Sequence, residues 1–267
     1  MKNKKLTLII STINDNLGKI VDLPSDERLC YVIVHQMKSG YQVNENTLLR
    51  ADFYGKRQDV EYVKSNVLGL SKSRNIGLDY CSTKFAYILD DDISFYDTSN
   101  LFNLVECFNK TKAQIIVSRV MTVKGCLFKK YPKGGYRYNK ISSATVSSIE
   151  MAVDVGFLNN NKIRFDEGFG LGTDYPSGEE FIFLSDCLDN NALIMHRNNI
   201  VVSHDEVSSG QDFYSSVQKL SAKKEMFKRI FKKLYFFYLL LFFMKKSFFL
   251  VKKGAFYNTF KQWFLVK

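Results

Sequence analysis

Three aspartates, Asp90-Asp91-Asp92, close the apolar run Phe85 to Leu89 that follows Ser82-Thr83-Lys84. Such a run reads as a buried strand that delivers carboxylates to a sheet edge. Adjacent like charges repel in partly desolvated surroundings, so a cation or strong donors must offset them. Hard oxygen ligands of this kind suit Mg²⁺ or Mn²⁺, and in open α/β sheets ligands bind outside the carboxyl ends of the strands. Taken alone, the run equally describes an acidic turn after a strand. Just upstream, Gly69-Leu70-Ser71-Lys72-Ser73-Arg74-Asn75-Ile76-Gly77 reads as a glycine turn, a serine able to cap a helix, and two cations in the first turn. Lys72 and Arg74 oppose the helix dipole there unless an anion such as a diphosphate occupies the helix start; a solvated helix start also fits. With three carboxylates close behind, cations and a metal site can grip the same diphosphate.

Further along, Phe165-Asp166-Glu167-Gly168-Phe169-Gly170-Leu171-Gly172 leads to a second acidic cluster, Ser177-Gly178-Glu179-Glu180. On their own, Glu179 and Glu180 are acids in a first helical turn behind a plausible cap, Ser177. His204 follows the apolar run Ile200 to Val202 and precedes Asp205 and Ser208-Ser209-Gly210. An imidazole at a strand end can complete a metal shell of aspartate and phosphate oxygens, and a packing role is the alternative. His35 and His196 read as packing or surface residues.

The stretch from Gly69 to Asp92 resembles the core of the family-2 glycosyltransferases, with their G-x-S-x-x-R-N-x-G helix start and D-x-D-type metal motif. The resemblance continues through Phe165 to Gly172 and Ser177 to Glu180, in the family's order, and roughly covers residues 5 to 210. It implies a GT-A fold and inverting sugar transfer from a nucleotide-diphosphate donor. It implies that Asp90 and Asp92 hold metal and donor with Asp91 sharing that region, that Arg74 and Lys72 meet the diphosphate, and that Glu180, beside Glu179, is the catalytic base. The family commonly has Asp at that last position. A histidine like His204, before a serine-rich loop, occurs in part of the family. One departure concerns the second strand, where many members carry Asp-Asp-Gly-Ser and this chain has Val34-His35-Gln36-Met37. Nucleoside recognition then falls to Asn14, Asp15 or Gln36, with uridine the expected base.

These residues need a scaffold of buried strands. Leu6 to Ser11, Tyr31 to His35, Val60 to Lys64, Phe85 to Asp90 and Gln114 to Val120 are short apolar runs of the kind buried on both faces of a parallel sheet. A brief helix over Asn14 to Val21, a helix over Ser71 to Tyr80 and another over Thr98 to Asn109 alternate with them, which predicts a doubly wound sheet. Tyr131 to Ser148, with Pro132, Gly134 and Gly135, reads as a loop, either an acceptor-facing lid or plain disorder. A strand over Ile149 to Val155 and paired short strands at Ala192 to Met195 and Ile200 to Ser203 complete the scaffold.

At 267 residues the chain has room for one large α/β domain. Five scattered cysteines without a C-x-x-C pair point to reduced thiols inside a cell and no structural zinc. Leu6 to Ile10 is broken at once by Ser11, Thr12 and Asn14, too short for a signal-peptide core. The net charge of +11 is uneven: residues 218–267 hold 13 Lys or Arg against one acid, while the rest hold 25 basic and 26 acidic groups. That tail also carries 15 of the 39 aromatic residues. Phe227, Phe231, Leu234 and Tyr238 fall on one helical face and Lys228, Arg229, Lys232 and Lys233 on the other. The apolar run Leu234 to Met244 is shorter than the ~20 residues a spanning helix needs, so the tail is expected to lie in a membrane interface, with docking of an amphipathic helix on the catalytic domain as the alternative. Lysine pairs at 232/233, 245/246 and 252/253 favour anionic lipid.

The expectation is therefore an α/β chain with two parts: a Rossmann-like GT-A catalytic domain over 1–217, and a basic, aromatic-rich helical tail over 218–267. Mg²⁺ or Mn²⁺ is the expected cofactor. The expected partners are a nucleotide-sugar donor, with a UDP-sugar expected, a lipid-linked or glycan acceptor of surface-polysaccharide or capsule synthesis, and an anionic membrane surface, with no nucleic acid. The expected location is the cytoplasmic face of the cell membrane. A catalytically silent membrane-bound scaffold of the same fold, or a polyanion-binding protein using the basic tail, are the competing classes.

Overall fold

Strand residues of alternating direction divide between two apolar layers, and this alternation builds the core of the molecule. The computed structural model describes residues 4–20, 22–205 and 212–266. The strands are β1 (Leu6–Ile13), β2 (Leu29–Gln36), β3 (Val60–Ser65), β4 (Phe85–Asp90), β5 (Ser94–Phe95), β6 (Ile115–Thr122), β7 (Met151–Asp154) and β8 (Ile194–His204). The helices are α1 (Glu45–Lys56), α2 (Leu70–Asp79), α3 (Ser99–Thr111), α4 (Lys140–Ser143), α5 (Val155–Asn160), α6 (Glu179–Asp189), α7 (Val217–Phe231), α8 (Tyr235–Lys252) and α9 (Phe256–Phe260). One mixed sheet runs β3-β2-β1-β4-β7-β6-β8-β5. Its β3-β2-β1-β4 half is parallel, β7 is antiparallel to both β4 and β6, and β8 is parallel to β6. It follows that β1, β2, β4, β6 and β8 all end at the same sheet edge.

Leu8, Ile10, Ile33, Tyr87 and Leu89 face one layer with Leu101 and Leu104 of α3 and Tyr54 of α1. Ile9, Val32, Val34, Ala86 and Ile88 face the other with Leu78 of α2 and Phe183 and Leu184 of α6. Each fully buried aliphatic or aromatic side chain contributes about 1.5–3 kcal/mol. The expected strands and the α2 and α3 helices are present. Asn14 to Lys19 is a 3₁₀ turn where a helix was expected, because its Asn14 turns the chain at φ 49°. The two short strands expected near residues 192–203 are one strand, β8, whose register slips against β6 around Arg119. The loop over 131–148 contains α4 under an Asn139 capping box and is pinned by Tyr131 stacked on the buried His196.

Beyond residue 212 the chain forms a helical layer with its own core. Leu220, Met226, Phe227, Ile230, Leu239, Phe243, Leu250 and Trp263 bury one another together with Phe169, Phe181 and Ile182 of the preceding part. Trp263 Nε1 donates to the Leu220 carbonyl at 2.8 Å, and Arg229 bridges Asp166 and Asp186. The expected boundary at 217/218 thus runs through a packed layer. Among the described residues one helical run, Val217–Lys252, is long and apolar enough by length and composition to cross a membrane, with 17% of its most apolar part buried. Counting only Leu234 to Met244 understated it, since the helix continues past Lys245-Lys246 through Val251. Lys232, at φ 48°, breaks the run between α7 and α8.

Candidate active site

The common strand edge opens into a cavity of about 770 Å³ that gathers most of the acids singled out in the sequence. Asp90 ends β4 in register with Ser11 of β1. Asp92 reaches the site by a second device. The chain enters β5, whose Ser94 pairs antiparallel with Ser203 next to His204, and this brings His204 Nε2 within 3.2 Å of Asp92 Oδ1. His204 Nδ1 lies 2.7 Å from the Asp205 carbonyl, which makes it the N–H donor there. The hydrogen bond from His204 depresses the Asp92 pKa, and the same bond raises that of His204 to about 9. Burial pushes the Asp91 carboxyl up to about 6, with its two aspartate neighbours adding to the rise. Ser208 to Gly210 lie outside the described residues.

The α2 helix start is built by interlocking it with the Phe165–Gly172 turn. Gly69 sits at φ 127°, Ser71 Oγ donates to the Phe169 carbonyl at 2.6 Å, and Asn75 bonds both the carbonyl and the N–H of Phe165. At Gly77 an added Cβ would lie 2.2 Å from Ile9 Cγ2, so only glycine lets α2 approach β1. Arg74, 1% exposed, is held at the centre of these contacts. Its guanidinium donates to Asp90 Oδ1 at 3.0 Å, to Glu179 Oε1 at 3.1 Å and to Ser148 Oγ at 2.7 Å, with Glu180 Oε1 at 3.8 Å. Glu179 is 4% exposed, and burial, followed by repulsion from Glu180, raises its pKa while Arg74 opposes the rise.

These contacts revise the roles expected for several residues. Arg74 donates through Nη1 and Nη2 to Glu179, Asp90 and Ser148, while its buried Nε has no partner among the described residues, so it ties the strand-end acids to the α6 acids. Lys72 is half-exposed and stands outside the cavity wall. Asn14 and Asp15 are also outside it. Asp15 accepts from Tyr41, from the Asn44 N–H and from Thr47, which fixes the start of α1, and the Asn14 carbonyl meets His35. Asn16 and Gln36 do line the cavity, and the Gln36 amide donates to the Gly69 carbonyl at 3.1 Å and to that of Val67. His35 and His196 are buried, as packing residues are.

The expected metal trio Asp90, Asp92 and His204 is not gathered as one cluster. Among the described residues no three carboxylate, imidazole or thiolate side chains converge on a metal position. Asp90 turns to Arg74, whereas Asp92 and His204 form a pair. That pair would fit a divalent cation as a partial shell once the cation displaces the Nε2 proton that His204 shares with Asp92, because Nδ1 bonded to a carbonyl leaves Nε2 to ligate beside a carboxylate oxygen. Diphosphate oxygens would have to supply further ligands.

Several wall residues carried no motif in the sequence. Ser11 Oγ and Thr12 Oγ1, buried at the end of β1, have no hydrogen-bond partner at ordinary distance among the described residues and line the cavity, with Thr12 close enough to Asp91 to oppose the rise of its pKa. Their one signal was the polar break after an apolar run. From the far side, Lys223, Met226 and Phe227 of α7 and Phe242 of α8 complete the wall. The α7 helix comes so close that a Cβ on Gly178, at φ 105°, would lie 2.8 Å from Met226 Sδ. A pair of acids at a helix start beside a cleft with donor groups at a strand edge can remove a proton from a hydroxyl while a diphosphate departs.

Residues 43–170 match the family model described as Glycosyl transferase family 2. The match includes Arg74 and the three aspartates and ends before Glu179. The fold is similar to that of S. aureus TarS, residues 1–349, with a TM-score of 0.61 and 16% identity over 85% of this chain and 66% of that one. The longer S. aureus TarS structure gives 0.59 and 18%, covering 85% and 40%. TarS 1–349 in complex with UDP-GlcNAc gives 0.59 and 17%, covering 85% and 67%. The chain thus spans about two thirds of the shorter TarS and 40% of the longer one. No curated protein matches it in sequence.

Proposed function

We propose that the chain, whose residues 43–170 match the family-2 glycosyltransferase model on a fold similar to that of TarS, is a GT-A transferase that moves a hexosyl group, with inversion, from a UDP-sugar to a hydroxyl of a lipid-linked or glycan acceptor at a membrane surface. The observation that carries this reading is the Arg74 bridge, which holds the strand-end Asp90 and the helix-start Glu179 to one guanidinium and so supports a leaving-group side and a base side within one cavity. Complexes of TarS with UDP and UDP-GlcNAc, on a similar fold, support the choice of donor.

In the reaction the acceptor oxygen forms a bond to the anomeric carbon as the bond to the diphosphate oxygen breaks. The nucleoside diphosphate leaves with the electron pair, and the hydroxyl proton passes to Glu180. At 3.8 Å from Arg74, the Glu180 carboxylate is attracted but not hydrogen-bonded, which leaves it free to accept that proton. Glu179, buried and bonded to Arg74, is a positioning residue for the base. Ser11 and Thr12 have unmet hydrogen-bonding capacity at the donor end. A divalent cation, when bound, offsets the charge of the departing diphosphate; Asp92 and His204 are the side chains suited to hold it, with Asp90 and Asp91 alongside.

Membrane association has its own support. Phe237, Leu241, Met244, Phe248 and Val251 recur at helical spacing along α8, all exposed, while Leu239, Phe243 and Leu250 on the other side are buried. With 13 cations and one acid in residues 218–267, that stripe suits an anionic lipid interface. Cell-surface polysaccharide synthesis at the cytoplasmic face of the membrane is the setting that unites a nucleotide donor with such a tail. The assignment of the base is tested with Glu180→Gln, which is nearly isosteric. Donor is expected to bind normally while transfer falls by about 10²-fold or more; near-normal transfer would remove Glu180 from the role.

A further inference from the structure

The cavity wall contains three cationic side chains, Arg74, His204 and Lys223. Arg74 is committed to Asp90 and Glu179, and His204 to Asp92. Lys223 differs: its Nζ meets the Met226 thioether at 3.9 Å, a weak acceptor, and among the described residues it forms no ion pair. Burial of the ammonium pushes its pKa down, and the acids that oppose this are Glu180 and Glu179 on α6, with Lys246 of α8 adding repulsion. Its other cavity neighbours are apolar, namely Phe181 of α6, Met226 and Phe227 of α7 and Phe242 of α8.

The donor groups Ser11, Thr12, Asp90, Asp92 and His204 come from the sheet edge. Lys223 and the apolar wall come from α6, α7 and α8. In a direct displacement the base is hydrogen-bonded to the attacking hydroxyl, on the acceptor side of the reacting carbon, so groups on the helical side of Glu180 face the acceptor. An ammonium with unmet donors favours a phosphate oxygen, and a phosphate beside an apolar wall is the chemistry of a lipid phosphate. The helix that gives Phe242 to the cavity also presents the exposed stripe Phe237, Leu241 and Met244, so a hydrocarbon chain leaving the cavity has an apolar route along α8.

We propose that Lys223 binds a phosphate of the acceptor and that Phe181, Met226, Phe227 and Phe242 receive the adjoining hydrocarbon, so that the hydroxyl acceptor is carried on a lipid phosphate that the C-terminal helices bring to the active site. The proposal rests on the transferase reading given above. It is tested on the full chain by calorimetry with dodecyl phosphate below its micelle concentration, dodecyl maltoside, inorganic phosphate and UDP. Wild-type protein is expected to bind dodecyl phosphate at least tenfold more tightly than Lys223→Met, and Lys223→Arg is expected to restore most of the affinity. UDP and dodecyl maltoside are expected to bind wild type and Lys223→Met alike, which also reports that the variant is folded. Equal dodecyl phosphate affinity in wild type and Lys223→Met overturns the proposal. Lost UDP affinity in Lys223→Met also overturns it, since the ammonium then serves the donor. Inorganic phosphate binding as tightly as dodecyl phosphate overturns the apolar half of the site. Phe248→Ser, on the outer face of α8, is expected to leave the Lys223-dependent affinity unchanged; its loss there would place the binding on the membrane-facing surface and sink the cavity site. Wild-type protein that does not bind UDP contradicts the transferase reading whatever the alkyl phosphate arm gives, so the two failures are told apart.

Discussion

Arg74 holds more of the site together than any other single residue, and its environment predicts what its loss would do. With Arg74→Met the Glu179 carboxylate, 4% exposed, and Asp90 lose their shared partner. Breaking a buried pair by removing one member costs about 3–5 kcal/mol, because an uncompensated charge stays behind. A denaturant titration is expected to show a loss of that order, and Arg74→Lys is expected to recover only part of it, since an ammonium lacks the planar fork that spans two carboxylates. A stability loss below about 1 kcal/mol would show that the bridge is not a structural keystone. The sequence named Arg74 but not its protein partners, because spacing along a helix shows neither burial nor which distant helix start arrives at 3.1 Å. The same limit applies to Asp15, whose backbone partner Asn44 and side-chain partners Tyr41 and Thr47 lie in a segment that carried no motif.

At the scale of elements, apolar runs with clear ends were readable: β1, β2, β4 and β6 appear where their Ile, Val and Leu content placed them. Helix α1 was not legible, since Glu45–Lys56 buries only Thr47 and Tyr54 and its periodicity is correspondingly faint. Nor was β5, a two-residue strand that exists only because β8 is there to pair with it, although it sets the Asp92–His204 contact. The helical tail was legible as amphipathic, but the choice between docking and lipid was not, because aromatic residues that pack on a domain and those that enter lipid look alike in one dimension. Trp263 separates the two. It is 1% exposed and its indole N–H bonds Leu220, so it locks the chain end onto α7. Trp263→Ala is expected to lower stability by about 3–5 kcal/mol in a denaturant titration. A change of a few tenths would mean that the helical layer folds independently of its end.

For the whole molecule, one sheet edge, one cavity and one helical layer form a continuous path from donor groups to an apolar exposed face. The uneven charge is what the sequence showed most plainly, and it predicts association with anionic vesicles that is strong at low salt and falls as salt screens the lysines, with weaker binding to neutral vesicles. Vesicle co-sedimentation at two salt concentrations checks this, and salt-independent binding equal on both vesicle types would leave the basic residues without that role. Deleting residues 218–267 would not isolate membrane binding from catalysis, because the same helices cover Ile182 and supply Lys223, Met226 and Phe227 to the cavity.

The claim on which the rest depends is that the strand-edge acids bind a nucleotide-sugar donor with a divalent cation. Calorimetric titration of the full chain with UDP and a panel of UDP-sugars, with and without Mn²⁺, tests it most directly when repeated on Asp92→Asn. The account predicts metal-dependent binding in the wild type and at least a tenfold loss in the variant, about 1.4 kcal/mol. Unchanged donor affinity in folded Asp92→Asn protein, or no binding of any UDP-sugar by the wild type, would contradict it.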